Sequence, residues 1–311
     1  MGGPPGDGRP ARGRRPVSMT AGPRLCGRAA WLVAAAWVVG VGFVAACGAA
    51  PAGGTPPTPT LAVSPLGTPF QLLPLSALTR EVTFAGGQGV PLAGQLDLPP
   101  GQPEPPLVVF IHHAGPETRD TYQHLAAYLV PRGYAVFRFD KRGTGRSGGV
   151  YGCCESDDAL AAYRAAYAES GFDRGRVFIV AQSLGTQILA ERFAEFQAAG
   201  PPAGVVLLSS LLKGDAVLPV QAPLHIIVSD SEADLGALGA QAVRAHRAAY
   251  DYGASFFVAP NTEHTLFDIA AGPVDWSAPD WPTKFSAAAR DSLVEWLDVQ
   301  SRRLHNDSAA P

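Results

Sequence analysis

Cysteine is scarce in this 311-residue chain, with four copies at positions 26, 47, 153 and 154. The cysteines, histidines and carboxylates form no set at metal-ligand spacing, so no metal and no other cofactor is expected. A basic surplus is also lacking, at 24 Lys and Arg against 27 Asp and Glu. Six arginines (Arg9, Arg12, Arg14, Arg15, Arg24 and Arg28) and one acid (Asp7) precede residue 47, which leaves 18 basic and 26 acidic residues in the remainder. Such a surface repels phosphate backbones and argues against a nucleic-acid partner. No internal repeat is visible, and the length suits one α/β core with an N-terminal tail.

The longest apolar run is "AAWLVAAAWVVGVGFVAAC", residues 29–47, preceded by Arg24 and Arg28. A positive region followed by an uncharged apolar one is the charge order of a secretory signal. Its end, Val44-Ala45-Ala46-Cys47, resembles the bacterial lipobox, in which the cysteine is diacylated and becomes the mature N-terminus. The competing reading is a retained membrane-spanning helix, since the run is close to the ~20 residues needed to cross a bilayer. Either reading tethers the rest of the chain to a membrane outside the cytoplasm. Met19 offers an alternative start that shortens the signal to ordinary length. From Gly48 to about Ala77, Pro, Thr, Ala and Gly dominate, as in an extended, semi-stiff spacer. The expected organisation is a signal over 1–46, the lipidated Cys47 with its linker over 47–79, a folded domain over 80–304 and a short tail over 305–311.

Strands and helices alternate from Arg80 onward. "REVTF" and "LAGQLDLP" alternate apolar and polar side chains across a Gly-rich turn, as an antiparallel hairpin does. "LVVFIH", "YAVFRFD", "RVFIVA", "GVVLLSS", "LHIIVSD" and "ASFFVAP" are runs of the kind buried on both faces of a parallel sheet. Helical patterns fall at 121–130, 156–170, 184–199, 233–251 and 284–304. The sum is a mostly parallel central sheet with an antiparallel N-terminal hairpin and helices on both faces.

Reactive groups at such a sheet matter most beyond the carboxyl ends of the strands. Ser183 stands there, in "RVFIVAQSLGT", between the strand ending at Ala181 and a helix starting near Leu184. So tight a strand-to-helix turn lifts the hydroxyl to the sheet edge, with the next amide facing the same space. A serine that merely caps a helix is the plainer alternative. His264 follows the last strand, and Asp230, Glu232 and Asp234 follow the strand before it.

This constellation resembles the α/β-hydrolase superfamily, near its serine aminopeptidase-like and dienelactone hydrolase-like branches, over about 80–304. Gln182-Ser183-Leu184-Gly185 matches the centre of the G-x-S-x-G elbow, with Ala181 in place of the first glycine. "RGYAVFRFDKRGTGRSGG" is similar to the D-x-R-G-x-G-x-S segment after the fourth strand, where Asp140 and Arg142 set loop geometry. "HHAGPETRD" is similar to the H-G-x-G-P loop that donates an oxyanion amide.

The resemblance implies Ser183 as nucleophile, His264 as base, Glu232 as the orienting acid with Asp234 and then Asp230 as alternatives, and the amides of Ala114 and Leu184 as oxyanion donors. The implied substrate is a small ester or a short peptide. A non-catalytic binding module on the same fold is the rival from another class. His113 replaces a glycine, which puts the oxyanion backbone in question. Only "LLKGDAVLPVQAP" separates two strands where many relatives insert a helical cap, so little or no cap is expected. Trp276 and Trp281 either wall a pocket or pack the final helix. Cys153 and Cys154 can remain thiols or close a strained vicinal disulfide.

Overall fold

The computed structural model describes residues 78–309, together with Gly2 and Gly3. The apolar segment 29–47, Cys26, Cys47 and the linker up to residue 77 lie outside the described residues, while residues 78 and 79, expected in the linker, already belong to the first strand.

Eight strands form one sheet: β1 (Leu78–Ala85), β2 (Pro91–Leu98), β3 (Leu107–Ile111), β4 (Ala135–Phe139), β5 (Val177–Gln182), β6 (Gly204–Leu208), β7 (Leu224–Ser229) and β8 (Ala254–Ala259). Their order is β1-β2-β4-β3-β5-β6-β7-β8. Only β1 with β2 and β2 with β4 pair antiparallel; the other five pairs are parallel. The helices are α1 (Gln123–Leu129), α2 (Glu155–Ala168), α3 (Leu184–Glu191), α4 (Phe193–Ala199), α5 (Ala233–Ala249) and α6 (Ala287–Ala309).

The two-residue period of a strand divides the core between the sheet's faces. Val177, Ile179 and Ala181 join Leu160, Tyr163, Phe193 and Val243, from α2, α4 and α5, on one face. Phe178 and Val180 join Leu125, Leu129, Leu293 and Leu297, from α1 and α6, on the other. Both faces of the central strands are therefore covered, which is why those strands read as unbroken apolar runs.

Two helices depart from the sequence pattern. The segment 184–199 is two helices, because Arg192 leaves helical geometry at φ −119°, ψ 17°. There its guanidinium bridges Asp157 at 2.6 Å and Glu195 at 2.7 Å. The last helix begins at Ala287 and not at 284, because Phe285 is extended and forms a bridge to Phe267. Between β6 and β7 lies only a single helical turn, Gly214–Val217, so that connection builds no cap over the carboxyl edge of the sheet.

Several histidines whose pKa is lowered by burial make stability depend on pH, His112 and His225 among them. His112 follows β3 and His225 lies in β7; burial lowers their pKa from 6.5 to about 3 and about 4 respectively. Both rings stay neutral in the folded protein while the unfolded chain takes up protons below pH 6.5. Stability is therefore complete above that pH and is lost as the pH falls toward 4, by at most about 1.4 kcal/mol per pH unit for each histidine. Thermal unfolding should show a lower Tm at pH 5 than at pH 7, and His225→Gln should shrink the difference; an equal Tm at both values contradicts this account.

Candidate active site

β5 delivers Ser183 to the carboxyl edge of the sheet, and α3 leaves directly after it. The turn between them is strained: Ser183 has φ 50°, ψ −114°, a region that non-glycine residues occupy only when their surroundings enforce it. The Ser183 amide donates to Leu208 O at 2.9 Å. Its carbonyl accepts from the Thr186 hydroxyl at 2.6 Å and the Thr186 amide at 2.9 Å.

Gly185 is the position of this turn that admits no side chain. A Cβ there would stand 2.7 Å from both Ile111 O and His112 O, which are backbone atoms. Ala181, by contrast, is an ordinary fully buried strand residue paired with Ile111 and Leu207. The missing first glycine of the motif therefore costs the turn nothing.

His264 reaches Ser183 from the loop after β8. Its Nε2 lies 2.9 Å from Ser183 Oγ, and its Nδ1 lies 2.7 Å from Glu232 Oε2. With Nδ1 protonated and donating to the carboxylate, Nε2 is left to accept the serine proton. Glu232 also accepts from Ser229 Oγ at 3.3 Å.

The other two acids are placed differently. Asp230 accepts from the amides of Asn261 at 2.8 Å and Thr262 at 3.0 Å. Those two backbone bonds hold its carboxyl below the usual aspartate range, and they anchor the turn that carries His264. Asp234 is an exposed residue in the first turn of α5.

The loop after β3 is held by side chains that sequence reasoning did not single out. The His113 amide donates to Tyr122 Oη at 3.2 Å, and the Gly115 amide donates to Tyr151 Oη at 3.0 Å. Lys141 Nζ donates to His113 O at 3.0 Å. Among the described residues, no partner takes the intervening Ala114 amide or the Leu184 amide at the start of α3. The left-handed backbone of this loop falls on Gly115, with φ 112°, and not on His113. The question raised by His113 is thus answered, since that position makes no demand for glycine.

Tyr122 Oη also donates to Gln182 Oε1 at 2.9 Å, while Gln182 Nε2 donates to Thr265 O at 3.3 Å. Tyr122 and Gln182 are both buried. One hydrogen-bonded strut therefore ties together the loop after β3, the serine turn and the histidine loop. Ser209, also buried, donates its hydroxyl to His264 O. Gln182 lies inside the recognisable elbow motif; Tyr122 and Ser209 carry no local sequence signal.

A cleft of about 380 Å³ runs beside the site and includes Gln182 and Thr265, the chain neighbours of Ser183 and His264. Phe267, Trp276, Trp281 and Phe285 form one wall, with Glu117, Thr118 and Asp120 among the polar lining. Trp281 also packs against the core under α6, so it serves both of the roles that its sequence allowed. Among the described residues, no group of three or more His, Cys, Asp or Glu is arranged to hold a metal ion.

The eight-stranded sheet, the antiparallel start and the serine turn after β5 define the α/β-hydrolase fold. Comparison with known proteins agrees. Residues 103–235, under half of the chain, match the family described as "Serine aminopeptidase, S33", a span that holds Ser183 and Glu232 but stops short of His264. No curated protein sequence matches the chain significantly.

Among solved structures, a bacterial heroin esterase is similar at 16% identity and a TM-score of 0.55, covering 77% of this chain and 88% of that one. A dienelactone hydrolase-like promiscuous phosphotriesterase from metagenomic libraries follows at 15% identity and 0.51, covering 73% and 98%. The esterase domain of a Rhodothermus marinus protein matches at 20% identity and 0.50, covering 70% and 97%. At these identities the likeness is one of fold.

Proposed function

We propose that the protein is a serine hydrolase that cleaves carboxylic esters through an acyl-enzyme, and that it works outside the cytoplasm, tethered by a lipid on Cys47. The observation that carries this reading is the unbroken chain from Ser183 Oγ to His264 Nε2 at 2.9 Å and from His264 Nδ1 to Glu232 at 2.7 Å.

Ser183 Oγ attacks the ester carbonyl as His264 Nε2 takes its proton. Glu232 holds the imidazole in the productive tautomer and stabilises it once charged. The carbonyl oxygen becomes an oxyanion within reach of the Ala114 and Leu184 amides, whose donors have no partner among the described residues to give up. His264 then protonates the departing alkoxide, leaving the acyl group on Ser183. Water, activated by the same imidazole, attacks that acyl group and restores the free serine. The cleft beside Gln182 and Thr265 receives one arm of the substrate, and the uncapped β6–β7 edge favours small or externally presented esters.

Peptide hydrolysis is the second reading, favoured by the family match over residues 103–235. The tether rests on sequence, in the apolar run after Arg24 and Arg28 and the small residues before Cys47.

A fluorophosphonate probe tests the reading on the full chain. The folded protein is expected to become labelled, to hydrolyse short-chain aryl esters faster than aminoacyl anilides, and to fractionate with membranes unless Cys47 is replaced by Ser. A folded protein that never labels refutes the serine-hydrolase reading.

A further inference from the structure

Cys153 and Cys154 take no part in the proposed hydrolysis, yet they lie between the two residues that brace the loop after β3. Tyr151 Oη holds the Gly115 amide at 3.0 Å, and Glu155 holds Lys141 Nζ at 2.7 Å. That lysine in turn donates to His113 O at 3.0 Å and lies over the Tyr151 ring. The amide between these two anchors is that of Ala114.

The thiols themselves are placed to react with each other. Their sulfurs are 2.8 Å apart, both are free, and Cys153 is exposed. Cys154 is in the left-handed region, at φ 63°, immediately before α2. Cys153 also lines a void of about 10 Å³ behind the loop, together with His112, Lys141 and Tyr151. The site thus has a solvent-facing side, where a reagent can enter, and an inner side in contact with the loop.

We propose that Cys153 and Cys154 form a dithiol site that small-molecule disulfides oxidise to a vicinal disulfide, and that closing this ring loosens the loop carrying the Ala114 amide and slows acylation of Ser183. The thiolate of Cys153, the more exposed residue of the pair, attacks one sulfur of the small disulfide and expels the first small thiolate. The Cys154 thiolate then attacks the mixed disulfide at Cys153 Sγ and expels the second. One S–S bond forms and one breaks, the two cysteine protons leave to solvent and the two expelled thiolates, and the reagent ends as two thiols. The Cys154 thiol is held above its ordinary pKa, chiefly by the hydrogen bond to Cys153 Sγ.

Closing the new ring, which includes the peptide bond between the two cysteines, draws the sulfurs from 2.8 Å to ~2.05 Å and pulls on the backbone of Cys154. Tyr151 and Glu155 lie on either side of that backbone and transmit the change to Gly115 and His113. Disturbing one oxyanion donor typically costs 10²–10³ in rate; partial slackening of the loop is expected to slow labelling by about tenfold.

The dithiol half stands on its own, whereas the coupling half rests on the serine-hydrolase reading, so the test separates them. The full chain is equilibrated in reduced and oxidised glutathione. The mass of the peptide containing residues 153 and 154 is measured, and the rate of fluorophosphonate labelling is followed in parallel. Loss of two hydrogen atoms from that peptide in the oxidised buffer, with slower labelling that dithiothreitol reverses, is the expected result. The Cys153→Ser/Cys154→Ser protein should label at the reduced wild-type rate in both buffers.

A peptide that keeps both thiols, or that carries only glutathione adducts, overturns the dithiol site. A vicinal disulfide with unchanged labelling overturns the coupling, as does a doubly substituted protein that is slowed equally. Folded protein that labels in neither buffer refutes the hydrolase reading and the coupling with it, while the peptide mass still decides the dithiol half.

Discussion

Ser183→Ala should lower ester turnover by about 10⁵-fold or more while leaving the fold unchanged, and Glu232→Gln should lower it by about 10³-fold. Removing the serine removes the nucleophile whose Oγ lies 2.9 Å from His264 Nε2. The second effect arises from orientation. Glu232 accepts the Nδ1 proton at 2.7 Å and so leaves Nε2 free to act as base; an amide presents an N–H to the same ring and favours the wrong tautomer. Glu232 is partly exposed, with 40% of its side-chain surface open to solvent, so water can replace some of its influence and the loss is smaller than for Ser183.

The neighbouring acids make the control. Asp234→Asn should leave turnover unchanged, because that side chain is exposed on α5. Asp230→Ala should lower Tm by freeing the Asn261 and Thr262 amides that shape the His264 turn. Steady-state kinetics of the four variants on one aryl ester decide the matter. Loss of activity in Asp234→Asn with none in Glu232→Gln would transfer the acid's role to Asp234.

Asp140→Ala should cost about 3–5 kcal/mol of stability, measured by chemical denaturation, although Asp140 hydrogen-bonds to Arg119 and Arg146 and not to Ser183, His264 or Glu232. Its carboxylate is 3% exposed and accepts from the Arg119 amide at 2.8 Å, from Arg119 Nε at 3.1 Å and Nη2 at 2.8 Å, and from the Arg146 amide at 2.9 Å. Burial pushes its carboxyl up, but the Arg119 and Arg146 hydrogen bonds outweigh burial and leave it below the usual range. A depressed carboxyl contributes stability at neutral pH that is lost as the pH falls through its folded value.

Removing it strands the buried Arg119 guanidinium, whose remaining carboxylate partner is the half-exposed Glu81. Arg119 opens the helical turn that carries Tyr122, the centre of the strut between the loop after β3 and the serine turn. The variant should therefore also label more slowly with the fluorophosphonate. Unchanged stability would show that Glu81 and solvent satisfy the Arg119 guanidinium once Asp140 is gone.

Local patterns in the chain carried most of the architecture. Unbroken apolar runs marked strands covered on both faces, alternation marked the N-terminal hairpin, and the strand-turn-helix around Ser183 marked the strained serine, because periodicity and turn chemistry depend on adjacent residues. The break at Arg192 was not legible, since it accompanies a bridge to Asp157 on another helix. The need for glycine was misplaced for the same reason. The motif drew attention to Ala181 and His113, but the backbone atoms that forbid a side chain lie against Gly185, and they belong to Ile111 and His112.

The choice among Asp230, Glu232 and Asp234 was likewise open in sequence, where they fall within five consecutive positions. The His264 loop, 32 residues from Glu232 and 81 from Ser183 in the chain, selects Glu232 by packing its turn on Asp230. Patterns among adjacent residues were enough to specify the sheet, its covering helices and a serine raised at one edge. The acid on His264 and the tyrosines that brace the loop after β3 emerge only on folding, because those contacts join loops that meet after the sheet has brought the strand ends together.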